Sequence, residues 1–188
     1  MMNKLQDEKK YKKVDASRIL ISELMQPSNS NFNGKIHGGY ILNLMDQIAF
    51  ACASKHSKTY CVTASVDTVD FLNPIEIGEL VTMKASVNYV GNTSMVVGIR
   101  VEAENIRTGV VKHCNSSYFT MVAKDDDGNS VEVPGLILND KQEIRRFLKS
   151  LKRLEMKRYR KKEFEEKDFS PNDYLHILEG YKVKVSLS

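Results

Sequence analysis

The stretch from residue 39 to residue 53 is the most apolar segment of the chain, and it contains one carboxylate, Asp46. Its apolar side chains point in nearly every direction around a helix, which predicts a helix enveloped by the rest of the protein. They are Tyr40, Ile41, Leu42, Leu44, Met45, Ile48, Ala49, Phe50, Ala51, Cys52 and Ala53. A carboxylate inside such a segment loses several kcal/mol of hydration free energy unless it is paired, hydrogen-bonded or reached by water. Asp46 is therefore the first candidate for a functional residue.

The length of 188 residues suits one domain with a real core and some additional chain. We divide it into a charged leader (1–16), one domain (17–139) and a basic C-terminal extension (140–188). Hydrophobic residues make up 41% and charged residues 28%, which is typical of a soluble globular protein. No apolar run reaches the roughly 18 to 20 residues of a membrane span, and the N-terminus lacks the pattern of a secretory signal. We therefore expect a cytoplasmic protein.

The basic charge is concentrated in the C-terminal extension. Residues 141–167 contain twelve Lys or Arg and five Glu, which gives this segment a net charge of +7. The whole chain has a net charge of +4, so the remaining residues together carry −3. Apolar residues spaced 3 and 4 apart predict an amphipathic helix over residues 141–162, and a further helical turn is expected at 174–178. The apolar stripe consists of Ile144, Phe147, Leu148, Leu151, Leu154 and Tyr159. The helix either packs across an oligomer with a solvated basic face or contacts nucleic acid or an anionic membrane.

Alternating apolar and polar residues follow the apolar helix and predict four strands, over residues 61–71, 80–90, 94–106 and 110–124. Residues 17–26 predict one more strand before the helix. In the strand at 61–71, Val62, Ala64 and Val66 are expected on one face. The connections are too short for parallel crossovers, so the sheet is mainly antiparallel. One long apolar helix and such a sheet predict an α+β fold in which the sheet curls around the helix.

Several kinds of site have no pattern in this sequence. The four histidines are isolated, no Cys-x-x-Cys occurs, and we expect no metal site. Neither a Gly-x-Ser-x-Gly elbow nor a P-loop is present. Cys52, Cys61 and Cys114 are odd in number and widely spaced, which predicts buried reduced thiols.

Two neighbouring stretches carry a more specific pattern. The first stretch, PSNSNFNGKIHGGYILNLMD, contains in order an Asn, a Gly, a Gly-Gly pair, an apolar helix and a Met-Asp dipeptide. The second stretch, VTASVDTVDFLNPIEIGELV, is a strand that ends in a Phe-Leu-x-Pro turn. In these features the chain resembles the hotdog-fold acyl-CoA thioesterases. The branch is that of the acyl-CoA hydrolases, which includes the YciA-like and the brain-type cytosolic enzymes. The resemblance covers roughly residues 17–135.

The resemblance implies a hydrolase that cleaves acyl-CoA to a carboxylic acid and coenzyme A. No bound cofactor is expected, because coenzyme A is part of the substrate and of the product. The minimal active unit implied is a homodimer, often assembled further into a hexamer as a trimer of dimers. Asp46 of one subunit and Asn31 of the other would meet in a shared active site. Nothing is implied for the chain beyond about residue 140.

Thioester hydrolysis needs a group that directs an oxygen at the carbonyl and donors that stabilise the oxyanion. Asp46 suits the first role, as a base acting on water or as a nucleophile, although a paired structural carboxylate is the simpler reading. Asn31 can orient water or the thioester through its amide, or it can cap its own loop. The backbone N–H groups of Gly38, Gly39 and Tyr40 are expected to lack partners at the helix start, and Gly39 is our choice of oxyanion donor.

Other candidates for the site are less specific. His37 is interpreted as packing or lining the substrate site rather than as a base. Thr63 is a candidate for supporting the active site, or a residue with ordinary strand propensity. A loop with hydroxyls and backbone donors could hold the phosphates of coenzyme A, although a hairpin turn explains it equally well. This loop consists of Gly91, Asn92, Thr93 and Ser94, and its possible charge partners are Lys84, Arg107 and Lys112.

Two further functions remain open at this stage. A non-catalytic acyl-CoA sensor or regulatory protein would use the same pocket without turnover. A hotdog dehydratase would need an Asp and a His held together at the substrate, whereas the resemblance here points to an Asp and an Asn.

Overall fold

The computed structural model describes residues 10–166, 175–178 and 180–186. Its strands are β1 (Tyr11–Lys13), β2 (Ile19–Leu24), β3 (Tyr60–Val66), β4 (Glu79–Val90), β5 (Ser94–Asn105), β6 (Val110–Lys124) and β7 (Gly135–Ile137). Its α-helices are α1 (Gly38–Ser57) and α2 (Lys141–Glu166). Short 3-10 helices lie at Val14–Ala16, Pro27–Asn29 and Leu175–Leu178. The chain divides into two compact units, and the second begins at Leu151.

Five strands form one antiparallel sheet in the order β2-β4-β5-β6-β3, so that β2 and β3 are its edges. Helix α1 packs against all five strands. The inward residues of β4 and β5 follow the predicted alternation, because every second side chain meets the helix. Those that are fully buried are Val81, Met83, Ala85, Val87, Met95, Val97, Ile99, Val101 and Ala103. The predicted α+β hotdog architecture, a curled antiparallel sheet around one long helix, is confirmed.

Strand β3 is shorter than predicted, and its alternation is interrupted. It ends at Val66, and a register shift occurs between Thr63 and Ser65. Cys61, before this bulge, is buried, whereas Ala64 and Val66 are exposed. Val62, Ala64 and Val66 were predicted to share one face, and the register shift between Thr63 and Ser65 interrupts that alternation. Residues 67–71 leave the sheet, and the Asp67 N–H bonds the carbonyl of Tyr118 instead.

A second, two-stranded sheet was not predicted. Strands β1 and β7 pair in parallel, with Tyr11 opposite Gly135. A Cβ on Gly135 would lie 2.4 Å from the Tyr11 ring, so this position requires glycine. Residues 11–16, assigned from the sequence to a charged leader, are thus ordered. The domain boundaries at residues 16 and 139 remain a prediction.

The buried side chain of His56 connects this small sheet to the end of α1. Its Nε2 lies 2.8 Å from the carbonyl oxygen of Pro134, and its Nδ1 lies 3.4 Å from the Ser17 hydroxyl. The Lys12 ammonium donates to the His56 carbonyl oxygen at 2.6 Å. Burial lowers the pKa of His56, and the Lys12 charge lowers it further against the opposing effect of the Pro134 hydrogen bond. His56 is therefore held neutral in the core.

The two faces of α1 have different environments within the chain. One stripe, at spacings of 3 and 4, is buried against the sheet and consists of Ile41, Leu44, Met45, Ile48, Ala49, Cys52, Ala53 and His56. The opposite face, which includes Leu42, Asn43, Asp46, Gln47 and Phe50, is exposed. The prediction of an enveloped helix with a desolvated Asp46 was thus wrong for the single chain. The physical reason is that Asn43, Asp46 and Gln47 share one helical face, and this polar face does not meet the sheet.

All three cysteines are buried and free, as predicted. Burial raises the pKa of the Cys52 thiol to about 12 and also raises the pKa of Cys114. The Cys52 and Cys114 thiols are therefore protonated and unreactive near neutral pH.

Helix α2 extends the predicted helix to Glu166. At its start, the Asp140 carboxylate accepts hydrogen bonds from the N–H groups of Gln142 and Glu143. The Phe147 ring packs on Tyr89 with ring centroids 5.2 Å apart. Within the predicted apolar stripe, Ile144, Leu148 and Tyr159 are exposed. A contact of this helix with nucleic acid, a membrane or another subunit remains a prediction.

The predicted turn at 174–178 is a 3-10 helix at Leu175–Leu178, and Tyr174 lies outside the described residues. None of the helices in the described part of the chain is both long enough and apolar enough to span a membrane.

Candidate active site

Asp46 and Thr63 are brought together by the packing of α1 on the edge strand β3. The Thr63 hydroxyl donates to Asp46 Oδ1 at 2.6 Å, and the same hydroxyl lies 3.5 Å from the Met121 sulfur. Among the residues that the structure describes, none bonds Asp46 Oδ2. One carboxylate oxygen is thus held by the protein, and the other is open to a substrate or to water.

This pair lines an open cleft of about 610 Å³ beside β3. The Phe50 and Tyr60 rings contact each other in the cleft, with centroids 5.6 Å apart. The full lining is Asp46, Gln47, Phe50, Tyr60, Cys61, Val62 and Thr63. The cleft therefore combines aromatic and aliphatic surface with one carboxylate, a composition that suits an acyl chain beside a reactive group. Gln47 and Phe50 were missed as lining residues, although their spacing from Asp46 places them on the same helical face.

Asn31 lies in a tight turn that its own side chain stabilises. Its Oδ1 accepts hydrogen bonds from the N–H groups of Asn33 at 3.0 Å and Lys35 at 3.1 Å, and its N–H bonds the Lys35 carbonyl at 2.7 Å. Its Nδ2 has no bonding partner within the described ranges. Asn31 therefore caps its loop through the oxygen and keeps an amide N–H₂ available as a donor.

The start of α1 is capped more completely than predicted. The His37 Nδ1 accepts the Gly39 N–H at 3.2 Å, and the His37 carbonyl accepts the Tyr40 N–H at 3.0 Å. The prediction that both N–H groups lack partners was wrong, because the residue before the glycines supplies a ring nitrogen as the N-cap. In the described part of the chain, only the Gly38 N–H of this trio has no partner. His37 thus acts as a helix cap.

Gly38 also has a packing requirement. A Cβ on this residue would lie 3.2 Å from the Phe71 ring, on the segment that leaves the sheet after β3. The glycine therefore allows an aromatic ring to approach the helix start closely.

One chain does not assemble all of the predicted site. The His37 N–H bonds the Asn29 carbonyl at 2.9 Å, which attaches the Asn31 loop to the start of α1. Asp46 lies two turns further along, about 10 Å from Gly39 at 1.5 Å of rise per residue. No hydrogen bond between Asn31 and Asp46 exists among the described residues. The chain thus presents two half-sites, Asn31 with the helix start and Asp46 with Thr63.

The loop predicted to hold phosphates is the turn between β4 and β5. The Gly91 N–H bonds the Ser94 carbonyl at 2.7 Å, and the carbonyls of Asn92 and Thr93 accept from Val133 and Ala123. These contacts account for the loop as a hairpin turn, and they leave the Thr93 and Ser94 hydroxyls as potential donors.

The three predicted charge partners have different surroundings. Lys84 is paired with Glu102 at 2.5 Å, and Lys112 with Glu79 at 2.8 Å, so a phosphate would compete with a carboxylate for either. Arg107 is exposed in the turn between β5 and β6. Over the described residues, no three His, Cys, Asp or Glu side chains are grouped as metal ligands.

Known proteins share both sequence and fold with this chain. Residues 33–110 match the model of the thioesterase superfamily. Protein VdlD of Helicobacter pylori is 46% identical over 144 residues, which is 77% of this chain and 82% of that protein. The chain belongs to the thioesterase superfamily. The uncharacterized acyl-CoA thioester hydrolase YkhA of Bacillus subtilis is 34% identical over 128 residues, which is 68% of this chain and 74% of YkhA.

Solved structures of this superfamily have the same fold. The acyl-CoA hydrolase of Staphylococcus aureus, determined with butyryl coenzyme A, coenzyme A and coenzyme A disulfide, matches with a TM-score of 0.77 and 30% identity over 88% of this chain and 99% of that one. Variants of that enzyme in which one Asp, one Asn or one Thr is replaced by Ala also match. A hexameric acyl-CoA thioesterase matches with a TM-score of 0.78 and 34% identity over 80% of this chain and 97% of that one. The resemblance inferred from the sequence is confirmed at the level of the family.

Proposed function

We propose that this protein is an acyl-CoA thioester hydrolase that releases a carboxylic acid and coenzyme A. The observation that carries the proposal is the Asp46–Thr63 hydrogen bond at the open cleft. The Asn, Asp and Thr replaced in the Staphylococcus aureus variants have the same order and spacing as Asn31, Asp46 and Thr63. This agreement supports a shared set of functional residues.

Asp46 supplies the reactive carboxylate in the proposed mechanism. As a base, Asp46 Oδ2 takes a proton from water while the water oxygen bonds the thioester carbon. As a nucleophile, Oδ2 bonds that carbon itself and forms an anhydride, which water then cleaves. In both routes the C–S bond breaks and coenzyme A leaves as the thiol. The Thr63 hydroxyl holds Oδ1 and orients the carboxylate, so that the free Oδ2 faces the cleft. Water is the only co-reactant, so the reaction needs no bound cofactor.

The second half-site polarises the thioester carbonyl. The Asn31 Nδ2 and the Gly38 N–H are donors with open hydrogen-bonding capacity, and the helix start places the positive end of a dipole beside them. The Gly39 N–H joins them when the His37 ring turns away from it. The bond that must break is a 3.2 Å contact to an exposed side chain, so its loss costs little.

The complete site is proposed to form between two subunits. The exposed face of α1 carries Phe50 and Leu42, and the cleft lies along the free edge of β3, so a second copy would cover apolar surface and complete the sheet. We further propose that these dimers assemble into a hexamer, as in the hexameric acyl-CoA thioesterase of similar fold.

The test is a thiol-release assay with an acyl-chain series from acetyl-CoA to palmitoyl-CoA. Asp46→Ala is expected to lower kcat by about 10² to 10⁴-fold, since the reactive group is lost. Its thermal stability should be nearly unchanged because Asp46 is exposed. The matched control is Asn43→Ala, which removes a polar side chain from the same exposed face and should retain activity.

Full activity in Asp46→Ala would refute the proposed role of this residue. If the unmodified protein binds acyl-CoA tightly but releases no thiol over hours, it is a sensor or regulatory protein instead.

A further inference from the structure

A second cleft, here called the outer cleft, lies on the side of the sheet that faces away from α1. Its volume is about 610 Å³, which is within the range of small-molecule sites. Outward side chains of β4, β5 and β6 form its floor, and the first turns of α2 form one wall. Its polar lining includes Arg18, Lys84, Ser86, Asn88, Arg100 and Arg146. The candidate active site contributes no residue to this lining.

The pairing of the strands places two cations side by side on the floor. Lys84 on β4 is opposite Arg100 on β5, and both are exposed. Like charges in opposite positions destabilise a sheet. Glu102 offsets this repulsion, because its carboxylate accepts hydrogen bonds from Lys84 Nζ at 2.5 Å and from Arg100 Nε at 2.7 Å. One carboxylate thus serves two cations, and the Arg100 Nη groups have no partner among the described residues.

The next row of the floor contains a buried amide with an unused donor. Asn88 is 6% exposed and is the extra residue of a bulge between Val87 and Tyr89. Its Oδ1 accepts the Ser86 hydroxyl at 2.9 Å, while its Nδ2 has no partner in the described part of the chain. A Cβ on Gly98 would lie 2.1 Å from this Nδ2, so the amide takes the space of a missing side chain on the outer face. Because buried donors normally have a partner, this Nδ2 indicates an acceptor that enters the cleft.

Helix α2 contributes a cation that no carboxylate balances. Arg146 is exposed and has no partner within residues 10–166, 175–178 and 180–186. Its neighbour Phe147 packs on Tyr89 with ring centroids 5.2 Å apart, which holds the start of α2 over the outer face of the sheet. The Arg146 guanidinium is therefore held near the floor with all of its donors unused.

The acidic groups around the cleft are already engaged. The Asp140 carboxylate accepts two backbone N–H groups at the start of α2. Glu143 accepts the Asn139 N–H at 2.7 Å and pairs with Arg18 at 3.5 Å, and Asp15 pairs with the same guanidinium at 2.6 Å. The acceptors are thus used within the protein, whereas the unused hydrogen-bonding groups are donors. A ligand of this cleft must be rich in acceptors.

Phosphate oxygens fit this set of donors. A guanidinium group binds phosphate through parallel charged hydrogen bonds, which are stronger than those between neutral groups. The cleft is also larger than a single phosphate group. Its apolar surface comes from the exposed Leu20, opposite Lys84 on β2, and from the Tyr118 ring, which would lie 3.2 Å from a Cβ on Gly98. This surface suits the organic part of a phosphate compound.

We propose that the outer cleft binds a free organic phosphate, whose phosphate oxygens accept hydrogen bonds from Arg146, Arg100 and the Asn88 amide. The inference does not rest on the proposed hydrolase function. Coenzyme A also carries phosphates, but this cleft lies on the opposite face of the sheet from the helix that bears Asp46. We therefore assign the cleft to a separate ligand.

The test is isothermal titration calorimetry of the whole protein with ADP, and with adenosine as the probe without phosphate. ADP should bind and adenosine should not. Arg146→Gln is expected to lower the affinity for ADP about tenfold or more, because it removes a charged donor. The matched control is Arg145→Gln, which removes the same charge from the neighbouring position of α2, outside the cleft lining. It should change the affinity less than about twofold, since exposed charges outside the site are screened by salt.

A second variant tests the floor. Asn88→Asp keeps the size of the side chain and the acceptor for Ser86, but it replaces the donor with a negative charge. It should lower the affinity for ADP more than Arg146→Gln does, and circular dichroism checks that it is folded. Arg100→Gln, at an exposed position, replaces it if the buried substitution unfolds the chain, and should lower the affinity about tenfold.

A thiol-release assay separates the two sources of phosphate. With a free organic phosphate as ligand, Arg146→Gln and the wild type should have the same KM for acyl-CoA. A rise in KM that matches the loss of ADP affinity would assign the cleft to coenzyme A and overturn the separate site.

Three calorimetric results would overturn the proposal. They are no binding of ADP at millimolar concentration, equal affinity for adenosine, and equal losses in Arg146→Gln and Arg145→Gln. A wild-type protein that binds ADP as described but hydrolyses no acyl-CoA would refute the proposed function and support this inference.

Discussion

The two faces of helix α1 differ in burial and in the residues that they present. The buried face contacts the sheet through aliphatic side chains, small residues and the neutral His56. The opposite face presents Asp46 between Leu42, 36% exposed, and Phe50, 39% exposed. Burial of apolar area stabilises the fold in proportion to that area. The buried face therefore determines the stability of one chain, and the exposed face carries the proposed chemistry and the proposed subunit contact.

The largest expected effect is on the buried face. Ile48→Ala removes a fully buried side chain and should lower the free energy of unfolding by about 2 to 5 kcal/mol. Urea unfolding at one fixed protein concentration measures it. The neighbouring Gln47→Ala, on the exposed face, serves as control and should change this free energy by at most about 0.5 kcal/mol. Equal losses in the two variants would mean that the faces do not differ as described.

A substitution on the exposed face should affect assembly instead. Phe50→Asp should weaken the proposed subunit contact by about 1.5 to 3 kcal/mol, the value of one buried aromatic side chain, while each chain stays folded. Sedimentation velocity should show a shift to smaller species, with unchanged circular dichroism. Ile106→Asp alters another exposed apolar residue, in the turn after β5, and should leave the assembly intact. If the Phe50→Asp protein sediments like the wild type, the proposed interface is contradicted.

The free energy of unfolding depends on pH through His56, which lies on the buried face of α1. Its pKa in the folded chain lies below the unfolded value of about 6.5, so between these values the unfolded state binds more protons. The free energy of unfolding should therefore fall as the pH decreases below about 6.5, with His56 contributing up to about 1.4 kcal/mol per pH unit. His56→Gln should remove this part of the slope, measured by urea unfolding between pH 5 and 7. His176→Gln, in an exposed 3-10 helix, should retain the slope of the wild type.

The smallest expected effect concerns the support of Asp46. Thr63→Ala removes one hydrogen bond to an exposed carboxylate and should lower kcat/KM about three- to tenfold. Thr63→Ser keeps the hydroxyl and should remain close to wild type. A Thr63→Ser variant as impaired as Thr63→Ala would assign the loss to packing rather than to the hydrogen bond.

Much of the fold could be predicted because periodicity is a local property. The apolar segment, the alternation in β4 and β5 and the short hairpins located the helix and three of the five main strands almost to the residue. The bulge in β3 could not be predicted, because it depends on how Thr63 and Ser65 face β6. The pairing of β1 with β7 joins residues more than a hundred positions apart, and no local pattern indicates it.

The candidate site was predicted in its parts but not in its geometry. Asp46 could be named from its place in an apolar segment, and Asn31 and Thr63 from the family resemblance; the structure then placed the Thr63 hydroxyl on Asp46. The cap by His37 was missed, because a ring nitrogen facing back to the helix N–H depends on the backbone angles of that one residue.

The sequence alone determined where the helix and strands of this protein lie and which residue types are available at each. Only the tertiary structure decided which face of α1 is buried, which Asp46 oxygen is free and which side chains hold the Asn31 turn. The reason is physical: a hydrophobic pattern measures how much surface must leave water, but it does not say against which distant residue that surface will pack.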